Sequence, residues 1–174
     1  MIGRATVAPA RIQRAWDALS QVLDPEVPAL SVCDLGIVRG VSEHAGILEI
    51  VLTPTYSGCP ATEVITRQVL EAMEAARLGP SRVRMQRMPA WSSDWISAEG
   101  KRKLRAYGIA PPGPVGNESI VPVGSIKRRL APSVPCPRCA SEATTLLSAF
   151  GSTACKSLYR CRDCLEPFEH FKPI

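Results

Sequence analysis

The chain has no apolar run approaching the roughly 20 residues that span a bilayer. Its first segment, Met1 to Arg14, also lacks the apolar stretch of a signal peptide. Both absences lead us to expect a cytoplasmic protein with no membrane partner. Histidine is scarce. His44 and His170 are the only two, and neither is obviously placed beside a cysteine that would need a base. Aromatic residues make up 5% of the chain, so platforms for stacking bases are few. A nucleic-acid role is therefore disfavoured, although Arg128, Arg129, Arg138, Arg160 and Arg162 and the net charge of +5 permit an acidic partner. There is no internal repeat.

What is present describes an ordinary globular protein. Hydrophobic residues make up 45% and charged residues 21% of 174 residues. That length suits one domain of about 100 residues with a small module attached. Seven cysteines stand out, four of them in two CxxC pairs. In a reducing compartment such pairs read as metal ligands before disulfides.

Along the chain, Ile12, Ala15, Trp16, Leu19 and Leu23 share one face of a helix from Pro9 to Leu23. Asp24-Pro25-Glu26-Val27-Pro28 ends it. Ile37–Val41 and Ile47–Thr53 read as a hairpin about His44, Ala45 and Gly46. The segment Thr53 to Pro60 is a loop. Ala61–Leu78 is the strongest helix, with Ala61, Val64, Ile65, Val69, Ala72, Met73 and Ala76 on its apolar stripe and Gly79-Pro80 as its stop. Arg82–Met88 alternates as a third strand with Val83 and Met85 inward. Ser97–Tyr107 is a short basic helix with Ser97 as N-cap. Proline then recurs between Ala110 and Pro137, which forbids a continuous helix and reads as a semi-rigid linker carrying a basic patch at Lys127, Arg128 and Arg129. The organisation expected is an α+β protein: a small α/β domain over 8–109 with a short sheet and flanking helices, a linker over 110–132, and a four-cysteine ribbon over 133–174.

The ribbon rests on Cys136-Pro-Arg-Cys139 and Cys161-Arg-Asp-Cys164. A CxxC turn brings two thiolates to one side of a tight loop, and two such turns supply the four sulfurs of a tetrahedral site. Thr144–Leu147 and Leu158–Arg160 flank the gap as strands. A module this small has too little core to fold unaided, so the metal contributes directly to folding. Zinc is favoured over iron, because Ala140 and Leu165 stand where a rubredoxin-like knuckle has glycine. Four thiolates leave no open position for catalysis, so the ribbon is a structural or docking module. Cys155, inside the ribbon, reads as a buried small hydrophobe before a functional thiol.

Cys59 poses the sharper question. Pro60 suits the first helical position, which would put Cys59 at the N-cap, where helix dipole and free amides favour a thiolate. Gly58 leaves room for close approach, and Thr53, Thr55, Tyr56 and Ser57 supply hydroxyls nearby. Structural cysteine, labile metal or cluster ligand, and catalytic nucleophile all remain open. Asp34, in Cys33-Asp34-Leu35-Gly36, is either a turn residue bonding nearby amides or a ligand. Cys33 would extend a metal site if the two loops met.

Asp24-Pro-Glu-Val-Pro28, Asp34-Leu-Gly36 and Thr53-Pro-Thr-Tyr-Ser-Gly-Cys-Pro60 together resemble the metal–sulfur cluster assembly domain of cluster-carrier and cluster-targeting proteins. With Pro89-Ala-Trp-Ser-Ser-Asp-Trp95, Leu104-Arg-Ala-Tyr-Gly-Ile109 and Phe150-Gly-Ser-Thr-Ala-Cys-Lys156, the chain from about Ala8 to Ile174 is similar to one branch, the D subunits of bacterial phenylacetyl-CoA epoxidase systems. The resemblance implies a non-catalytic accessory factor of aerobic phenylacetate degradation. Its implied site residues are Cys59 and Asp34 for a transient iron–sulfur cluster, with structural zinc on Cys136, Cys139, Cys161 and Cys164. The implied partners are the epoxidase subunits, above all the iron–sulfur reductase. A lone Cys59 has too few ligands for a two-iron cluster, so ligand counting adds a homodimer. A structural or electron-transfer component of the oxygenase is the alternative.

Overall fold

The computed structural model of the chain describes residues 10–56, 58–115 and 133–174. The fold is α+β, in two compact units: Met1–Trp91 with Trp95–Gly100, and Ser92–Asp94 with Lys101–Ile174. No helix among the described residues is long and apolar enough to cross a membrane.

The first unit begins with α1, Ala10–Leu19. It ends four residues earlier than the apolar spacing predicts. The Ser20 hydroxyl donates to the Asp17 carbonyl at 2.6 Å, and the Gln21 and Val22 amides bond three residues back, which tightens and closes the last turn. Leu23 is then 49% exposed rather than on a buried stripe. Asp24 Oδ1 accepts the amides of Glu26 and Val27 at 2.8 and 2.7 Å, which builds the proline-flanked turn that follows.

Strands β1 (Val38–His44) and β2 (Ile47–Leu52) form the expected hairpin. His44 is the last residue of β1, paired with Ile47, so the turn itself is Ala45-Gly46, both at positive φ. Helix α2 (Ala61–Ala75) buries Ala61, Ile65, Val69 and Met73 at the predicted spacing. It returns the chain to β3 (Ser81–Met85), which runs parallel to β2, giving the sheet order β1-β2-β3. Leu19, Leu30, Leu48, Ile50, Val69 and Met73 are fully buried and form the centre of this unit. Arg11 ties three elements together. Its guanidinium donates to the Leu78 carbonyl at 2.8 Å, to Glu43 at 2.7 Å and to the Gly46 carbonyl at 3.0 Å.

Ser97 caps α3 (Ala98–Tyr107) as expected, accepting the Gly100 amide at 2.8 Å. From Lys101 onward this helix belongs to the second unit. Ile109–Ala110 then forms β4, which runs parallel to β7 (Pro167–Phe171). With β5 (Thr144–Ser148) and β6 (Lys156–Cys161) the sheet order is β4-β7-β6-β5. Ala110, placed in a linker by composition, is thus a buried strand residue. Residues 116–132, with the predicted patch at Lys127, Arg128 and Arg129, lie outside the described residues. One core cluster of the second unit joins Ala110, Val134, Phe168 and the buried thiols of Cys136 and Cys161, with Tyr159 against them, and Leu104, Ile109 and Phe171 are buried in this unit as well.

Candidate functional site

The two knuckles bring four thiols together. The sulfurs of Cys136, Cys139, Cys161 and Cys164 all lie within 4.8 Å of one another, with Cys136–Cys164 at 3.7 Å and Cys139–Cys161 at 3.5 Å. A zinc–sulfur bond of about 2.3 Å in a tetrahedron sets sulfurs about 3.8 Å apart. The donor set therefore fits zinc in both chemistry and spacing, and these four residues would hold it. Among the described residues this is the one place where three or more cysteine, histidine or carboxylate ligand atoms meet.

Local backbone chemistry builds the knuckles. The Ala140 amide returns to the Cys136 carbonyl at 2.9 Å, and the Cys164 amide donates to Cys161 Sγ at 3.5 Å. The amides of Cys164 and Asp163 draw the Cys161 thiol down to about 6. The Glu166 amide favours a thiolate at Cys164, yet burial and the three neighbouring sulfurs push it up to about 12. Crowded thiols share their protons unevenly in this way, and a cation among them favours the thiolate at all four. Ala140 and Leu165 have φ of 62° and 63°. The glycine that the sequence lacks at these places is thus missing in identity only, because both residues adopt the left-handed backbone that glycine would take.

Cys59 lies at the end of the loop that leaves β2. Helix α2 starts one residue later than proline placement suggests. Pro60, at φ −66° and ψ −23°, is itself the N-cap, and Cys59 precedes it. The Cys59 amide donates to the Tyr56 carbonyl at 3.3 Å, and its own carbonyl accepts the Thr62 amide at 3.2 Å. Gly58 has φ +84° with open space where a side chain would stand, so glycine is needed there for its backbone conformation. Cys59 is half-buried and lines an open hollow of ≈ 620 Å³ with Pro54, Gly58, Glu63, Met85 and Arg87. Of the hydroxyls expected nearby, those of Thr53 and Thr55 are buried and outside the lining, the Thr53 hydroxyl has no hydrogen-bond partner among the described residues, and Ser57 lies outside those residues. Met85, expected inward, is 38% exposed and faces this hollow. Nothing in the alternation of β3 distinguished it from Val83.

Neither Cys33 nor Asp34 is in the lining. Burial, with the Asp34 charge beside it, pushes the Cys33 thiol up to about 11, which suits an inert thiol better than a ligand. Asp34 is engaged on both oxygens. Oδ2 accepts the Ser31 amide and hydroxyl at 3.1 and 2.9 Å, and Oδ1 accepts the Ser97 hydroxyl at 3.2 Å. The glycine that follows is forced by packing. A Cβ on Gly36 would stand 2.6 Å from the Trp95 carbonyl oxygen, and φ there is +67°. Trp91 is buried and its indole N–H donates to the Leu35 carbonyl at 2.9 Å, while Arg39 lies 3.6 Å over the Trp95 ring. The two tryptophans therefore serve the turn that carries Asp34.

Among the described residues the lining of the Cys59 hollow contains no histidine, and Glu63 is its one carboxylate. His170 is buried in the second unit and pushed down to about 4 by that burial. Cys155 is buried as well, with the Thr153 hydroxyl 3.1 Å from its sulfur.

Comparison with known proteins agrees with this geometry. Residues 12–83 match a family described as iron–sulfur cluster assembly protein, and residues 122–172 match the PaaD zinc beta ribbon domain. A protein of Bacillus subtilis named Fe-S protein maturation auxiliary factor YitW is 32% identical over 89 residues, 50% of this chain and 86% of its own. A crystal structure of a domain of unknown function, DUF59, from Bacillus anthracis superposes with a TM-score of 0.51 at 26% identity, over 55% of this chain and 92% of that one. The Escherichia coli K12 protein named as the D subunit of a "Putative 1,2-phenylacetyl-CoA epoxidase" is 48% identical over 170 residues, 98% of each chain. With both segments matched in order and the whole length aligned, the chain belongs to the family of 1,2-phenylacetyl-CoA epoxidase D subunits.

Proposed function

We propose that the protein is a non-catalytic maturation factor of phenylacetyl-CoA epoxidase that passes an iron–sulfur cluster, or iron, to the reductase of that oxygenase. The observation that carries this reading is Cys59, a half-buried thiol in an open hollow, within a segment similar to iron–sulfur assembly proteins. A single sulfur in an open hollow suits cargo that must leave again, since a closed donor set would retain it. Cys59 is the cargo ligand. Asp34, with both oxygens engaged, orders the neighbouring turn. Cys136, Cys139, Cys161 and Cys164 hold a structural zinc, and the second unit is the docking module. Cluster cargo needs a further ligand, supplied by Cys59 of a second copy or by the client.

Anaerobic purification of the wild type and Cys59→Ala, with zinc, iron and acid-labile sulfide measured per chain, tests this. One zinc in both, with iron and sulfide in the wild type alone, is the expected outcome. Maturation of the reductase by the wild type and not by the variant completes it. Zinc in both, with no iron or sulfide even when reductase is present, removes the carrier role.

A further inference from the structure

The two knuckles present their cysteines unequally. Cys136 and Cys161 are 2% and 0% exposed and belong to a core cluster, whereas Cys139 and Cys164 are exposed. The four-sulfur site thus has a closed side and an open one, with one ligand of each knuckle on the open side. Beside those two ligands a side-chain hydrogen bond crosses between the knuckles. Ser141, just after Cys139, donates its hydroxyl to Asp163 Oδ2 at 2.5 Å, and Asp163 directly precedes Cys164. The same hydroxyl accepts the Ala143 amide at 3.0 Å, and the Ala143 carbonyl accepts the Arg162 amide at 2.7 Å. Ser141, Ala143, Arg162 and Asp163 therefore close a hydrogen-bonded ring. The Ser141 carbonyl also accepts the Cys136 amide at 2.9 Å, which ties the ring to the first knuckle.

From this ring we infer that Ser141 and Asp163 form a latch across the two knuckles that sets how fast the four-cysteine site gives up its metal. The inference rests on the reading of those cysteines as a zinc site. Turn chemistry accounts for the bond between Ser141 and the nearby Ala143 amide, but not for the bond to Asp163, 22 residues away. A hydroxyl–carboxylate bond is short and charge-assisted. On a large domain it would add little to what the core already supplies. In a small module that folds around its metal, it holds the halves of the donor set together on the side where they can part. Neither residue is among the ligand atoms that meet at the site, so both are positioning residues. The turn that Asp163 occupies also aims the Cys164 amide at Cys161 Sγ, 3.5 Å away, so the latch orients a ligand as well as a chain.

The test measures zinc per chain in the purified full-length protein and then times its transfer to an excess of a chromophoric chelator. Ser141→Ala and Asp163→Ala each release the metal about tenfold faster, at the low end for a lost outer partner of a ligand. The double variant is no faster than either single one, because each change alone opens the latch. Ser141→Thr keeps the hydroxyl and stays within about twofold of the wild type. Arg162→Gln, an exposed change in the same knuckle that spares the backbone bond to Ala143, stays within about twofold as well. Ser141→Ala leaves the exposed Ala143 amide to water, and an unchanged absorption band of the cobalt-substituted protein shows that all four sulfurs still bind. One zinc per chain with unchanged release in Ser141→Ala overturns the latch alone, as do additive effects in the double variant. A wild type that carries and takes up no zinc overturns the zinc reading, and the latch with it.

Discussion

Asp34 grips Ser97 twice: its backbone carbonyl accepts the Ser97 amide at 2.9 Å and its carboxylate accepts the Ser97 hydroxyl at 3.2 Å. Because Ser97 in turn accepts the Gly100 amide, the aspartate anchors the residue that starts α3. Asp34→Ala leaves the Ser31 amide and hydroxyl without their acceptor and lowers stability by about 1–3 kcal/mol. Asp34→Asn, which keeps one acceptor oxygen, lowers it less. Urea unfolding measures both. Iron and sulfide uptake per folded chain stays at the wild-type level in each. Full stability with lost uptake would instead make Asp34 a ligand.

The Lys156–Glu169 pair is asymmetric, and its variants should be too. The ammonium is 2.9 Å from the carboxylate with the lysine side chain 3% exposed, against 23% for the glutamate. Glu169→Gln strands a buried charge and destabilises the second unit by about 3–5 kcal/mol. Lys156→Met is the milder change, because Glu169 keeps the Ser152 amide at 2.6 Å and its access to water. Thermal unfolding of the zinc-loaded proteins ranks the two. Equal losses would show that the pair acts only through packing.

Ala140 and Leu165 carry the backbone strain of the knuckles, at φ of 62° and 63°. Ala140→Gly relieves it at an exposed position and stabilises the loaded ribbon by about 1 kcal/mol, and Leu165→Gly does the same. A competition between the protein and a zinc chelator, run on each variant, reads the gain as slower metal loss. Faster loss in Leu165→Gly alone would show that the leucine side chain supports the site.

Much of this was legible in the sequence, for identifiable reasons. Helix α2 announced itself because its apolar residues recur at helical spacing over four turns. The four ligands did so because CxxC spacing is a property of one tight turn. What was hidden depended on distant partners. Ile109–Ala110 is too short for any periodic signal, and only its pairing with Glu169 and His170 makes it a strand. Proline's fixed φ serves the N-cap and the first helical residue equally, so the placement of Cys59 was off by one position.

The position of β7 in its sheet bears on synthesis. It is the last strand in chain order, yet β4 and β6 flank it on either side. On a ribosome, therefore, the segment with Ile109 and Ala110 emerges early and has no neighbour to pair with until the end of this stretch is translated. Cys136 and Cys139 also appear before the second knuckle exists. Until Cys161 and Cys164 follow, a metal ion meets half a binding site, so closure of the four-sulfur site waits on the last two strands of the sheet.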